Sequence, residues 1–258
     1  MKPATIFGWL ACCLLPLCAR AEDWVDGRQA DPFVLRANYR LEQDAELFTQ
    51  LQDLQVEIAQ LLAVERAAEP VELFLFRDEA SYGRYLAARF PGVPARRAMY
   101  VKHTGPGMVF AYQSRDFAVD LRHETTHALL HAVLPSVPLW LDEGLAEYFE
   151  LPTEARAFDN HYAASLTWRI RLGQVQSLAA LESKRELSEM GRNEYRDAWA
   201  WVHFMLHGPD GARDELRKYL SDLKQTAHAE PLSRRLERRL PGLEKRLLTH
   251  FKTWQRPE

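Results

Sequence analysis

The chain has 258 residues, of which 47% are hydrophobic and 27% charged, and its formal charge at neutral pH is −3. This balance is typical of a folded globular protein and excludes intrinsic disorder, collagen-like repeats and a multi-pass membrane protein. The slight acidity gives no reason to expect a nucleic-acid partner.

The first 21 residues have the pattern of a cleaved secretory signal. Lys2 provides a short positive region, segment 6–17 is almost wholly apolar, and residues 19–21 read Ala-Arg-Ala, a typical signal-peptidase site. The apolar run is shorter than the ~20 residues that a membrane span needs. We therefore expect an exported chain, periplasmic or secreted, whose mature part starts near Glu22 and has no transmembrane span. A lipoprotein signal at Cys18 and an uncleaved N-terminal anchor are the alternatives.

The segment up to residue 115 alternates between helical and strand patterns. Apolar residues at spacings of three and four predict an amphipathic helix over 42–62. A shorter helix is expected over 78–90, closed by Pro91 and Gly92. Short apolar runs between turn residues predict strands at 71–76, 98–102 and 107–112.

From residue 116 onward the pattern becomes helical. Apolar residues recur with helical spacing as far as Trp254, interrupted at prolines and glycines. We predict an α+β fold in which one domain, 22–258, has an N-terminal lobe with a small mixed sheet (22–115). A mostly helical lobe follows (116–258).

Residues 123–127 read HETTH, an HExxH motif. On a helix, His123 and His127 lie on one face, about 6 Å apart along the axis, where both can bind one Zn²⁺. Glu124 then lies near the open position of the metal, where it can take a proton from water and pass it to a leaving amine. The alternative is a pair of helical histidines that only pack in a core or contact water.

A third protein ligand is expected from the segment WLDEGLAEYFE at 140–150. The prolines between this segment and HETTH predict that one helix ends and another begins. If the connector reverses the chain, Glu143 returns to the level of the histidines, with Asp142 and Glu147 as the other candidates. Glu147, one turn further, would accept the other N–H of a ligating histidine. The alternative is a solvated acidic stripe that includes Glu150.

His131 is also close to the motif in sequence. On an unbroken helix it lies ~12 Å along the axis from His123, too far for the two to share one ion. We therefore do not expect His131 to be a ligand.

HETTH followed by WLDEGLAEYFE resembles the gluzincin branch of zinc metallopeptidases, and most closely the peptidase-MA-like domains of exported bacterial proteins. The resemblance implies a zincin-like fold and one zinc ion held by His123, His127 and Glu143. It also implies Glu124 as general base and Glu147 as the carboxylate behind a ligating histidine. The close match covers residues 121–150, and a weaker match in lobe order covers most of the mature chain.

The resemblance implies two further features of the site. In such enzymes an edge strand holds the substrate peptide in extended form, and segment 107–112 corresponds to that strand by position; alternatively, it is a plain structural strand. A tyrosine or histidine of the helical lobe stabilises the oxyanion. Tyr195 is the candidate and His203 the reserve, although both also fit a role in packing.

The function expected from the sequence is that of an exported, single-zinc peptidase acting on a peptide or protein substrate. One alternative keeps the fold and the zinc without catalysis, as a binding domain of the cell envelope. The presence of Glu124 weighs against it, because a purely structural zinc site has no use for this residue. Another alternative, a helical exported protein with an accidental HExxH, is disfavoured by the segment around Glu143.

Overall fold

The computed structural model describes residues 24–94, 96–103, 105–226 and 229–256. The signal segment predicted at 1–21 and all three cysteines lie outside the described residues. Within the described ranges, no helix is long and apolar enough to cross a membrane.

A five-stranded sheet in the N-terminal part is followed by a mostly helical region, which confirms the predicted α+β class. The strands are β1 (Asp26–Ala30), β2 (Phe33–Ala37), β3 (Val71–Phe76), β4 (Ala98–Val101) and β5 (Gly107–Tyr112). The first four helices are α1 (Ala45–Leu62), α2 (Glu79–Arg89), α3 (Phe117–Val133) and α4 (Leu139–Phe149). The helices that follow are α5 (Ala163–Arg171), α6 (Leu178–Glu182), α7 (Arg192–His207), α8 (Ala212–Leu223), α9 (Leu232–Arg239) and α10 (Leu243–Thr253).

The predicted elements match the structure closely in the first half of the chain. The helix expected over 42–62 begins as a 3-10 turn at Leu41–Asp44 and continues as α1. The strands and the helix that follow are present, with ends that differ by one residue at most. Strands β1 and β2 have no counterpart among the predicted elements.

The sheet has the strand order β1-β2-β3-β5-β4. The three inner strands run parallel, and the outer strands β1 and β4 each pair antiparallel with a neighbour. The expectation that segment 107–112 is the edge strand is therefore wrong. One side of β5 already pairs with β3, so the hairpin between β4 and β5 places β4 at the free edge.

Successive side chains of β3 point to opposite faces of the sheet, and both faces are covered by other elements. Val71, Leu73 and Leu75 point into the large core that includes residues of α1 and α3. Phe74 and Phe76 point to the opposite face, where they pack in a second cluster with residues of α2. A strand buried on both faces is expected to be apolar at nearly every position, as β3 is.

Helix α4 packs so closely on α7 that position 144 has no room for a side chain. A Cβ atom added to Gly144 would lie 2.8 Å from the carbonyl oxygen of Ala198 and 3.0 Å from a methyl carbon of Val202. Because the backbone oxygen cannot swing aside, the glycine of the DEG segment is required by this close approach.

We expect Gly144→Ala to lower the free energy of unfolding by about 1–3 kcal/mol, the usual cost of overpacking a core. Gly83→Ala is the matched control, because a Cβ there meets nothing within 4 Å. In the middle of α2, alanine should raise stability by up to about 1 kcal/mol. Urea denaturation of the two variants and the parent measures both effects. Unchanged stability of Gly144→Ala would contradict the close packing of α4 on α7.

Candidate metal centre

The site is built where α3 and α4 pack against each other beside the edge of the sheet. Helix α3 lies against β4 and β5, and α4 contacts both α3 and α7. Proline ends the first helix and begins the second: α3 stops before Pro135, and Pro138 is the N-cap of α4. The connector reverses the chain, which is the condition for Glu143 to return to the histidines, and brings the two motifs into contact.

The imidazoles of His123 and His127 and the carboxylate of Glu143 converge on one point. Glu143 Oε2 lies 3.7 Å from His123 Nε2 and 3.8 Å from His127 Nε2. One ligand atom of each residue lies within 4.8 Å of those of the other two. Donor atoms around a tetrahedral ion with bonds of 2.0–2.2 Å are separated by about 3.4 Å, so the three residues fit a metal ion with small adjustments.

Carboxylates also contact the outer nitrogen of each imidazole, which leaves both Nε2 atoms facing the shared point. Glu150 Oε2 lies 3.2 Å from His123 Nδ1. Asp142 Oδ1 lies 3.0 Å from His127 Nδ1, a close charge contact that is too poorly aligned for a hydrogen bond. Outer carboxylates of this kind fix the tautomer and orientation of ligating histidines.

The role expected of Glu147, behind a ligating histidine, falls instead on Glu150. Both residues lie on the face of α4 that carries Glu143, but it is Glu150 that reaches His123 Nδ1. Glu147 Oε1 accepts a hydrogen bond of 3.3 Å from the hydroxyl of Tyr162. Its Oε2 is buried and has no hydrogen-bond partner.

The electrostatics of the site are dominated by buried acids around two imidazoles. Burial lowers the pKa of His123, but the nearby carboxylates of Glu143 and Glu150 outweigh it and raise that pKa well above its usual value. Burial would raise the pKa of Asp142, but the adjacent His127 holds it well below its usual range. A cation at the shared point would be stabilised by the same carboxylates.

Glu147 is the exception among these acids because its surroundings disfavour the charged form of its carboxyl group. Burial, followed by the negative charge of Glu150, raises the pKa of Glu147 well above its ordinary value. The atoms of His123, Glu147 and Glu150 form a second group within 4.8 Å of one another.

Glu124 faces the edge of the sheet. Its Oε2 accepts a hydrogen bond of 2.7 Å from the backbone N–H of Tyr100 in β4. Because β4 pairs with β5 on its other side, this N–H belongs to the free edge of the strand. The carboxylate expected to act as a base therefore lies between the histidine pair and the edge where an extended chain could pair.

His131 is not part of the group formed by the donor atoms of His123, His127 and Glu143. Its Nε2 is 2.9 Å from Asp142 Oδ2, so it contacts the carboxylate that also lies behind His127. The ring of Tyr100 lies nearly parallel to both imidazoles, at centroid distances of 6.4 Å for His127 and 5.8 Å for His131.

Tyr195 and His203 both lie on α7 but face different surroundings. Burial raises the pKa of Tyr195 to about 12, and the negative charge of Glu143 adds to the effect. His203 Nδ1 is 3.0 Å from His250 Nε2, and its Nε2 is 3.0 Å from the carbonyl oxygen of Ala157. Both nitrogens are thus engaged at the α10 side of the helix, so the reserve assignment of His203 is wrong.

The environment of His203 predicts a loss of stability in acid. Burial, helped by the neighbouring His207, lowers the pKa of His203 to about 3. The unfolded chain takes up this proton below about pH 6.5, whereas the folded chain does so only near pH 3. The stabilisation is therefore complete above about pH 6.5 and is lost as the pH falls below it.

We expect His203→Gln to reduce this pH dependence. Between about pH 7 and about pH 5, the parent should lose about 2 kcal/mol more than the variant, which lacks the titrating group. Urea denaturation at the two pH values measures the difference, with the exposed His103→Gln as control. An identical loss in parent and His203→Gln would contradict the assignment.

Three contributions to the site were not found from the sequence. Glu150 lies three residues after Glu147 on one helical face, so the spacing alone could not separate the two. The contacts of Asp142 could have been suspected from its position beside Glu143. The N–H of Tyr100 is a backbone group, so no pattern of residue types could predict its hydrogen bond to Glu124.

Neither comparison with known proteins assigns this chain to a family. No family model matches it, and no curated protein matches it significantly. The gluzincin resemblance therefore depends on the residues and the geometry described above.

Proposed function

We propose that the protein is an exported zinc peptidase of gluzincin type, in which His123, His127 and Glu143 hold the metal. The observation that carries the proposal is the convergence of two imidazole nitrogens and one carboxylate oxygen beside Glu124. Two nitrogen donors and one oxygen donor, with a further position free, form a typical donor set of catalytic zinc.

These residues would hold Zn²⁺, which when bound would supply Lewis acidity to polarise a peptide carbonyl and make water more acidic. Glu124 then acts as the proton carrier: its carboxylate takes a proton from water and delivers it to the departing amine. Asp142 and Glu150 keep the two imidazoles in the orientation that directs Nε2 inward. The free edge of β4 is where the substrate would pair in extended form.

Tyr195 is the proposed stabiliser of the oxyanion. Its raised pKa keeps the phenol protonated, so that it can donate a hydrogen bond to developing negative charge. Tyr195→Phe should lower kcat by about 10²–10³-fold with little change in KM. Steady-state kinetics on a cleaved peptide decide this, and a kcat within about twofold of the parent would remove Tyr195 from the mechanism.

Cleavage of a mixed peptide library by purified 22–258 tests the activity itself. We expect new peptide termini to appear by mass spectrometry, to be lost with a chelator and to return when Zn²⁺ is added. The zinc-loaded Glu124→Gln variant is the control for contaminating peptidases. Absence of cleavage by the zinc-loaded parent would contradict the proposal.

Export is proposed from the pattern of residues 1–21. The full-length chain should be recovered with an N-terminus near Glu22, which N-terminal sequencing can read. Recovery of the intact first residues from the producing cell would contradict cleavage.

A further inference from the structure

A cavity of about 640 Å³ opens beside His123, between the start of β4 and the segment that follows α4. Its described lining includes six carboxylates and only two guanidinium groups, those of Arg96 and Arg97. The six acids are Asp116, Asp120, Glu124, Glu147, Glu150 and Asp159. A cleft with this excess of negative charge favours cationic ligands, but the acids differ in whether they already have a partner.

The three aspartates are paired within the protein. Arg97 forms charged hydrogen bonds with both Asp116 and Asp120. Asp159 pairs with Arg256 at 2.5 Å. These carboxylates therefore have a cation already and need none from a ligand.

Two of the three glutamates have a single well-defined donor. Glu124 accepts the N–H of Tyr100 at 2.7 Å. Glu150 Oε2 contacts His123 Nδ1 at 3.2 Å. Its other oxygen, Oε1, lies 3.7 Å from His161 Nδ1, beyond hydrogen-bond distance.

Glu147 is the acid whose buried oxygen lacks a hydrogen-bond donor. The residue is only 7% exposed, and its Oε2 has no hydrogen-bond partner. Its other oxygen has only the neutral hydroxyl of Tyr162, at 3.3 Å. A buried carboxylate that lacks a donor carries a substantial free-energy cost, which a cationic guest would offset.

We propose that Glu147 and Glu150 form a binding site for a protonated amine of a peptide. An ammonium group has three N–H donors and no acceptor, which complements the unsatisfied oxygen of Glu147 and the half-free carboxylate of Glu150. The amine is either the free N-terminus of the peptide or a lysine side chain. The identification of this amine as part of a substrate rests on the proposed peptidase function. The binding of an amine by Glu147 and Glu150 does not depend on that function.

A second metal ion fits this place less well than an amine. It would need His123 as its third protein ligand, and Glu150 already contacts Nδ1 of that imidazole. His123 also belongs to the first group of donors, so the imidazole would have to bridge two ions. An amine needs only the two carboxylates and leaves His123 in its present contacts.

The test measures peptide binding by calorimetry to the zinc-loaded Glu124→Gln chain, in which turnover is removed. Three versions of Ala-Leu-Phe-Ala-amide serve as probes: with a free N-terminus, N-acetylated, and N-acetylated with lysine in place of leucine. At least one amine-bearing version should bind about 10- to 100-fold more tightly than the neutral one. Which of the two gains affinity identifies the amine as N-terminal or side-chain.

Adding Glu147→Gln should abolish this preference, whereas Asp159→Asn should retain it. The control makes the same carboxyl-to-amide change in the same cavity, but at a carboxylate that Arg256 already neutralises. A preference that survives Glu147→Gln, or the absence of any preference or binding, would overturn the inference. So would the loss of a second zinc equivalent in Glu147→Gln, because that result assigns a metal site. Failure of the parent to hydrolyse peptides would contradict the proposed function and leave this binding result intact.

Discussion

Glu124→Gln is expected to retain its metal and to lose turnover by about 10²–10⁴-fold, the usual contribution of a positioned general base. Glutamine has nearly the same size, and its amide oxygen can still accept the N–H of Tyr100, so the local structure should persist. The amide cannot take up a proton from water at neutral pH, and the proposed zinc ligands are unchanged. Measured together, kcat and zinc content separate the loss of a base from the loss of the metal.

The control for this result is Glu79→Gln, which makes the same chemical change at an exposed position in the first turn of α2. It should leave both quantities within experimental error of the parent. Full turnover by Glu124→Gln would contradict the role of Glu124. Loss of zinc from that variant would instead point to Glu124 as a ligand.

The second large effect is expected in zinc affinity. The loss of affinity on substitution should differ among Glu143, Glu150 and Glu147 according to the contacts that each side chain makes. Glu143→Ala removes one of three donor atoms and should weaken zinc binding most. Glu150→Gln loses the charge behind His123 and should cost about 10- to 100-fold, as removal of an outer partner does. Glu147→Gln should have the smallest effect, because its contact is with Tyr162.

Competition titrations with a coloured chelator measure these affinities directly. Thermal melts of the zinc-free variants serve as the control, because an unfolded variant would lose zinc for another reason. If Glu147→Gln weakens binding more than Glu143→Ala, the third ligand is Glu147 and the proposed ligand set is wrong.

Much of the fold could be predicted because helical and strand patterns are local. The amphipathic spacing of α1 and the apolar run of β3 each report burial that neighbouring elements then provide. Strand β1 escaped prediction because it is an edge strand of sequence DGRQA, with no apolar alternation to mark it. The position of β5 inside the sheet is a matter of strand order, which no local pattern encodes.

In the site too, some positions follow from the spacing of residues in the sequence, and others depend on how the side chains pack. Helical geometry places His123 and His127 on one face, and the proline connector returns Glu143 to them. Glu147 and Glu150, four and seven residues after Glu143, share its face, and only the packed side chains show which one reaches His123. Likewise, the direction in which His203 points depends on α10, which is distant in sequence.

The most direct test of the central claim is the metal content of purified 22–258, measured by elemental mass spectrometry without added metal. We expect about one zinc per chain, and a large fall in His123→Ala and Glu143→Ala. His131→Ala should keep its zinc, because His131 lies outside the group of donor atoms. A chain that holds no zinc even after reconstitution, or that keeps it without His123 and Glu143, would contradict the proposed metal centre and the peptidase mechanism built on it.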